Sequence, residues 1–90
     1  MKEKLTTEEY KEIARLVGIA LNVPNKTEAQ KYINKIKSFG YDLERRVGNI
    51  FNELVCYVKD ASGRVADKEN RLYSVKRKLY ELNTYGVGDL

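Results

Sequence analysis

A chain of 90 residues with a formal net charge of +4 makes one domain, 1–90, and at this size buries only about 60% of the surface its unfolded form exposes, so self-association is expected to supplement its stability. With no histidine and one cysteine, Cys56, it cannot assemble a thiolate or imidazole metal site, a Cys-His pair or a Ser-His-Asp arrangement, and a non-enzymatic role without a cofactor is expected. The charge favours anionic partners; no apolar run reaches the ~18 residues of a membrane span, and the polar start Met1, Lys2, Glu3, Lys4 is unlike a secretory signal, so a cytoplasmic location with no membrane contact is expected.

The first element opens at Thr6, which with Glu9 three residues on fits a capping box; Tyr10, Ile13, Ala14, Val17, Ala20 and Leu21 then recur at helical spacing and predict a helix over about 7–21. Asn22, Val23, Pro24 and Asn25 form the first connection. Thr27 with Gln30 repeats the capping pattern, and Ala29, Ile33, Ile36, Gly40, Leu43, Val47, Ile50, Leu54 and Tyr57 alternate in steps of four and three, a heptad seam that predicts one long central helix over about 28–61. Such a helix is on the order of 50 Å long, too long for a lone globule of this size, so the seam is expected to pack against other subunits. The alternative is a break at Gly40, with Ser38, Phe39 and Gly40 ending one helix and Asp42 capping the next. Cys56, inside the run Leu54, Val55, Cys56, Tyr57, Val58, reads as a buried thiol acting as a small hydrophobe in a reducing compartment. Ser62 and Gly63 make the second connection. Leu72, Val75, Leu79 and Leu82 carry the core face of a third helix over about 67–84, and the tail from Gly86 to Leu90 is expected to be mobile. The expected fold is all-α: three helices, the last two an antiparallel hairpin, in an oligomer.

Paired acids such as Glu8 with Glu9, Asp42 with Glu44, and Asp67 with Glu69 fall at helix starts, where carboxylates favour the helix dipole, and they read as capping rather than catalysis. The glycines stand alone within helical patterns and make no phosphate-binding loop. On the third helix Tyr73, Lys76, Arg77 and Tyr80 fall at spacings of three, four and seven, so two rings and two cations share one side. Such a stripe can stack bases and hold phosphates; equally, the two rings can flank the leucine core with their hydroxyls in water. Lys31, Lys35 and Lys37, continued by Arg45 and Arg46, give the second helix a basic edge.

The segment Asn34, Lys35, Ile36, Lys37, Ser38, Phe39, Gly40, Tyr41, Asp42, Leu43 resembles a phage anti-CBASS family that sponges cyclic oligonucleotides and so blunts anti-phage signalling. The family carries Asn, a basic residue, an aliphatic residue, Lys, a small residue, an apolar residue and Gly, with Leu three residues on. The likeness extends loosely over 27–54, with a weaker echo over 67–86. It implies a helical-hairpin protomer in a compact oligomer, in the host cytoplasm, holding a cyclic oligonucleotide between subunits without hydrolysing it. Lys37 matches the family's ligand-contacting lysine, and Arg71, Lys76 and Arg77 are similar to the basic contacts of its second helix. The base-stacking tyrosine of the family falls near Asn22 or Val23, where this sequence has none; Tyr10 or Tyr32 would have to substitute, with Tyr73 as a further ring. The helix over 7–21 is an addition to the family pattern. Two other roles are open to the same residues: direct binding of nucleic acid through the Tyr73, Lys76, Arg77, Tyr80 stripe, and inhibition of a host protein by direct contact.

Overall fold

Thr6 begins the first helix as its spacing predicts: its hydroxyl accepts from the Glu9 amide at 3.1 Å, while the Glu9 carboxylate accepts from the Thr6 amide at 2.9 Å, so two otherwise orphaned donors are satisfied together. In the computed structural model, which describes residues 2–63 and 67–88, helix α1 spans Thr7–Asn22, α2 Lys26–Phe39, α3 Arg45–Ala61 and α4 Lys68–Gly86. The all-helical class is as expected, but there are four helices among the described residues, not three. The three-residue link folds α2 back on α1, and the two pack along each other as antiparallel neighbours. Glu53 meets Lys78 and Asp60 meets Arg71, so α3 and α4 run antiparallel as well. The fold is thus two helical hairpins stacked on one core, in which Ile13, Leu16, Val17 and Ala20 of α1, Ala29, Ile33 and Ile36 of α2, Val47, Phe51, Leu54 and Val58 of α3, and Val75 and Leu82 of α4 are buried.

The long central helix does not form. Gly40 leaves the helical path at φ −101°, ψ 11°, and the chain turns back so that the Phe51 ring lies where a Gly40 side chain would stand, 2.2 Å from the position of its Cβ. The seam read as a surface for other subunits is cut in two and closed on itself: Ala29, Ile33 and Ile36 from its first half and Val47, Phe51, Leu54 and Val58 from its second join one cluster. The longest extent of the molecule is 39 Å, which the ~50 Å helix could not fit.

Three smaller expectations are also corrected. Helix α2 is capped by Asn25, whose side chain accepts from the Glu28 amide at 2.9 Å, rather than by Thr27. Helix α3 is capped by Glu44 rather than Asp42; its carboxylate accepts from the Val47 amide at 2.6 Å and the Arg46 amide at 3.0 Å. The tail is tied down as far as residue 88, since the Gly88 amide donates to Leu5 O at 2.9 Å and the Leu5 amide donates to Gly86 O at 2.7 Å; the rest of the expected mobile tail lies outside the described residues. Upstream, the Lys2 amide donates to Asp42 O at 2.7 Å and Lys2 O accepts from the Glu44 amide at 2.8 Å. The extended segment before α1 therefore clasps both the α2–α3 loop and the end of α4, with Leu5 fully buried between them. No helix among the described residues is long and apolar enough to cross a membrane.

Candidate anion-binding groove

Beside the Gly40 turn a groove of about 610 Å³ opens between the end of α2, the α2–α3 loop and one face of α3, within the ~300–1,000 Å³ usual for small-molecule sites. Leu43, Phe51 and Val55 contribute its apolar lining. Its cations come from three places: Lys37 from the last turn of α2, Arg45 from the first turn of α3, and Lys59 from the last turn of α3. Asn49 and Asn52 add amides that can donate and accept. Tyr41, in the loop, is 95% exposed at the rim. No carboxylate side chain lines the groove among the described residues. Glu44, one residue before Arg45, is spent on capping; hydrogen bonds from the Val47 and Arg46 amides hold its carboxyl below the usual carboxylate range, with a smaller contribution from the Arg46 charge.

A second depression of about 380 Å³ continues the groove toward the other end of α2, sharing Cys56 and Lys59 with the first and adding Ala29, Ile33 and the Asp60 carboxylate. Lys26 crosses it, its Nζ donating to Lys59 O at 2.7 Å. Cys56 is exposed here, which corrects its reading as a buried thiol. At about 100° per residue, Asn49, Asn52, Cys56 and Lys59 share one face of α3, away from the buried face of Val47, Phe51, Leu54 and Val58.

The other residues singled out from the sequence lie elsewhere. Arg71 pairs with Asp60 and lines a depression of about 250 Å³ with Tyr57 and Asn70. Tyr73 and Arg77 line another of about 240 Å³ with Tyr57, Lys78 and Glu81. Lys76 is exposed on α4. Tyr73 and Tyr80 are 67% and 71% exposed, so they do not flank the leucine core as one of their two readings has it. Tyr10 is half-buried against the core, its hydroxyl donating to Leu79 O at 3.2 Å and pushed to higher pKa by burial. Tyr32 packs beside the core with Lys35 Nζ 5.6 Å from its ring centroid. Among the described residues, then, the groove that holds Lys37 is lined by none of Arg71, Tyr73, Lys76, Arg77, Tyr10 and Tyr32.

The sequence missed Tyr41, Asn49, Asn52 and Lys59 as companions of Lys37. A continuous helix keeps Tyr41 one turn from Lys37 but spreads Asn49, Asn52 and Lys59 over turns farther on, and only the turn at Gly40 brings those three to it. As built, the groove can neutralise phosphate through its cations, stack a planar group on Tyr41 and satisfy base edges with its amides. No protein-family model, curated protein or solved structure matches the chain.

Proposed function

We propose that the protein is a non-catalytic binder that sequesters a cyclic oligonucleotide in the α2–α3 groove, the anti-defence sponge role that the resemblance over 34–43 implies for a phage protein. The observation that carries the reading is a groove in which Lys37, Arg45 and Lys59 are grouped with no carboxylate, beside the exposed Tyr41 ring. A cyclic oligonucleotide has one phosphodiester per nucleotide and no terminal phosphate, so it asks for cations at separate corners rather than one tight phosphate cradle. Arg45 supplies a planar fork and the two lysines point charges. The Tyr41 ring and the amides that remain suit bases, and among the described residues the groove's lining supplies no general base paired with a nucleophile.

Native mass spectrometry with a panel of cyclic di- and trinucleotides, alongside their linear counterparts, tests this directly. One cyclic species is expected to bind and to be recovered chemically unchanged, with Lys37→Ala and Arg45→Ala each weakening it on the order of tenfold or more, as loss of a charge-assisted hydrogen bond does. Because both side chains are exposed at the groove, the variants should fold. Failure to bind any cyclic species, or retention of full affinity in Lys37→Ala, would sink the reading.

A further inference from the structure

Helix α4 meets the core with Val75, Leu82 and Gly86 buried and Leu72 and Leu79 half-buried. At about 100° per residue, Tyr73, Arg77 and Tyr80 fall on the opposite side, so the two rings point away from the core, and Lys76 stands exposed on the flank beside them. They stand one heptad apart, about 10.5 Å along the axis, with both cations between them. Tyr57 of α3, 39% exposed, widens this aromatic surface: it and Tyr73 wall the depression of about 240 Å³ that also holds Ser74, Arg77, Lys78 and Glu81.

Charge selects the partner. Glu53 and Glu81 hold Lys78, at 2.5 and 3.0 Å, and these carboxylates raise its pKa above the usual lysine range, so that charge is used within the hairpin. Arg77 makes only a 3.9 Å contact with Glu81, and Lys76 has no ion pair among the described residues. No acid stands between the two rings; Glu69 lies one turn before Tyr73. A second copy docked on this face by a two-fold axis centred between the rings would bring two Lys76 and two Arg77 side chains together, which disfavours self-association here. An anionic partner bearing planar groups meets both the rings and the cations.

We infer that the outer face of α4, edged by Tyr57, binds single-stranded nucleic acid, with bases stacked on Tyr73 and Tyr80 and the intervening phosphates held by Lys76 and Arg77. The ring separation of about 10.5 Å corresponds to about three stacked-base steps of ~3.4 Å. A single strand is required because a duplex keeps its base faces covered. This site goes beyond the cyclic-oligonucleotide reading and does not depend on it, since none of these side chains lines the Lys37 groove.

Fluorescence anisotropy of a labelled oligothymidylate, on the order of ten nucleotides long, tests it against a duplex of the same length. The single strand should bind more tightly than the duplex. Tyr73→Ser and Tyr80→Ser should each weaken it on the order of tenfold, and Lys76→Ala with Arg77→Ala should flatten the dependence of log affinity on log salt by about 1.4, from roughly 0.7 per phosphate contact. Lys37→Ala should leave strand binding unchanged. Circular dichroism confirms that the exposed-residue variants stay folded. Equal binding of strand and duplex, no binding of either, indifference to loss of both rings, or loss of strand binding in Lys37→Ala would each overturn the assignment. So would sedimentation showing a dimer that Tyr73→Ser dissociates.

Discussion

A Cβ built on Gly40 would lie 2.2, 2.3 and 2.7 Å from three carbons of the Phe51 ring, and that ring, 2% exposed, is embedded in the core. It has nowhere to retreat, so Gly40→Ala forces either the ring or the loop to shift, an overpacking cost of about 1–3 kcal/mol. Gly18 is the internal control. A Cβ there meets nothing within 4 Å, and a glycine within a helix costs roughly 0.5–1 kcal/mol relative to alanine, so Gly18→Ala should stabilise. Urea denaturation of the two variants is expected to move the midpoint in opposite directions; a neutral Gly40→Ala would mean that the Phe51 contact does not fix the turn. The sequence offers Gly40, followed by Asp42, as the alternative break and leaves Gly18 inside a helix, but nothing in the pattern shows that a side chain at Gly40 would be excluded. The difference lies in a residue eleven positions downstream, whose ring reaches Gly40 only after the chain has turned. Cys56 was misread for a related reason: apolar neighbours in sequence do not set which side of α3 faces the core.

At the scale of the helices, starts were legible where both partners of a cap are local. Thr6 and Glu9 satisfy each other across one turn, a pattern visible in four letters. Asn25 and Glu44 cap alone: the Thr27–Gln30 pattern two residues on masks Asn25, and Glu44 is hidden because the heptad seam runs through the break and reads as one helix. The candidate groove is legible only in part for the same reason: Lys37 and Arg45 were visible as a basic edge, while their companions needed the turn. The caps make acid sensitivity a property of two helix starts. Burial pushes Glu9 up, but the Lys2 side chain and the Thr6 amide together pull harder, and its carboxyl ends below the usual carboxylate range; the Glu44 carboxyl is also held down, by the Val47 and Arg46 amides. A carboxyl with a depressed folded-state pKa takes up protons first in the unfolded chain, so its contribution is full above about pH 4.5 and fades as pH falls through the folded value. Thermal melts from pH 7 to pH 3 should show declining stability below about 4.5. Glu44→Gln should be less stable at neutral pH and decline less steeply in acid; a decline as steep as that of the unsubstituted protein would assign the acid sensitivity to other carboxylates.

The two hairpins of the whole molecule are held together by core side chains and by the extended segment at the start of the chain. A domain of this size has little stability to spare, so a clasp contributing a few hydrogen bonds weighs heavily. Lys2 exchanges two backbone hydrogen bonds with the α2–α3 loop, at Asp42 and Glu44, and its ammonium pairs with Glu9, whereas Leu5 binds Gly86 and Gly88 at the far end of α4. The two halves of the clasp are separable. Removing residues 1–4 deletes the bonds to the loop and spares those of Leu5. At about 1 kcal/mol for each hydrogen bond and roughly 4–8 °C per kcal/mol in a domain of this size, a melting temperature lower by about 8–16 °C is expected. Hydrogen exchange locates the effect. The Glu44 amide, which donates to Lys2 O, should lose protection beyond the global loss, while the Gly88 amide, which donates to Leu5 O, should follow the global change alone. Leu5→Ala should instead lower protection of both amides together, since it empties a fully buried site at a cost of about 2–5 kcal/mol. Should Glu44 keep its relative protection in the shortened chain, the loop that carries Tyr41 would be held by the Gly40–Phe51 contact and the Glu44 cap, and the clasp would serve only to seat Leu5.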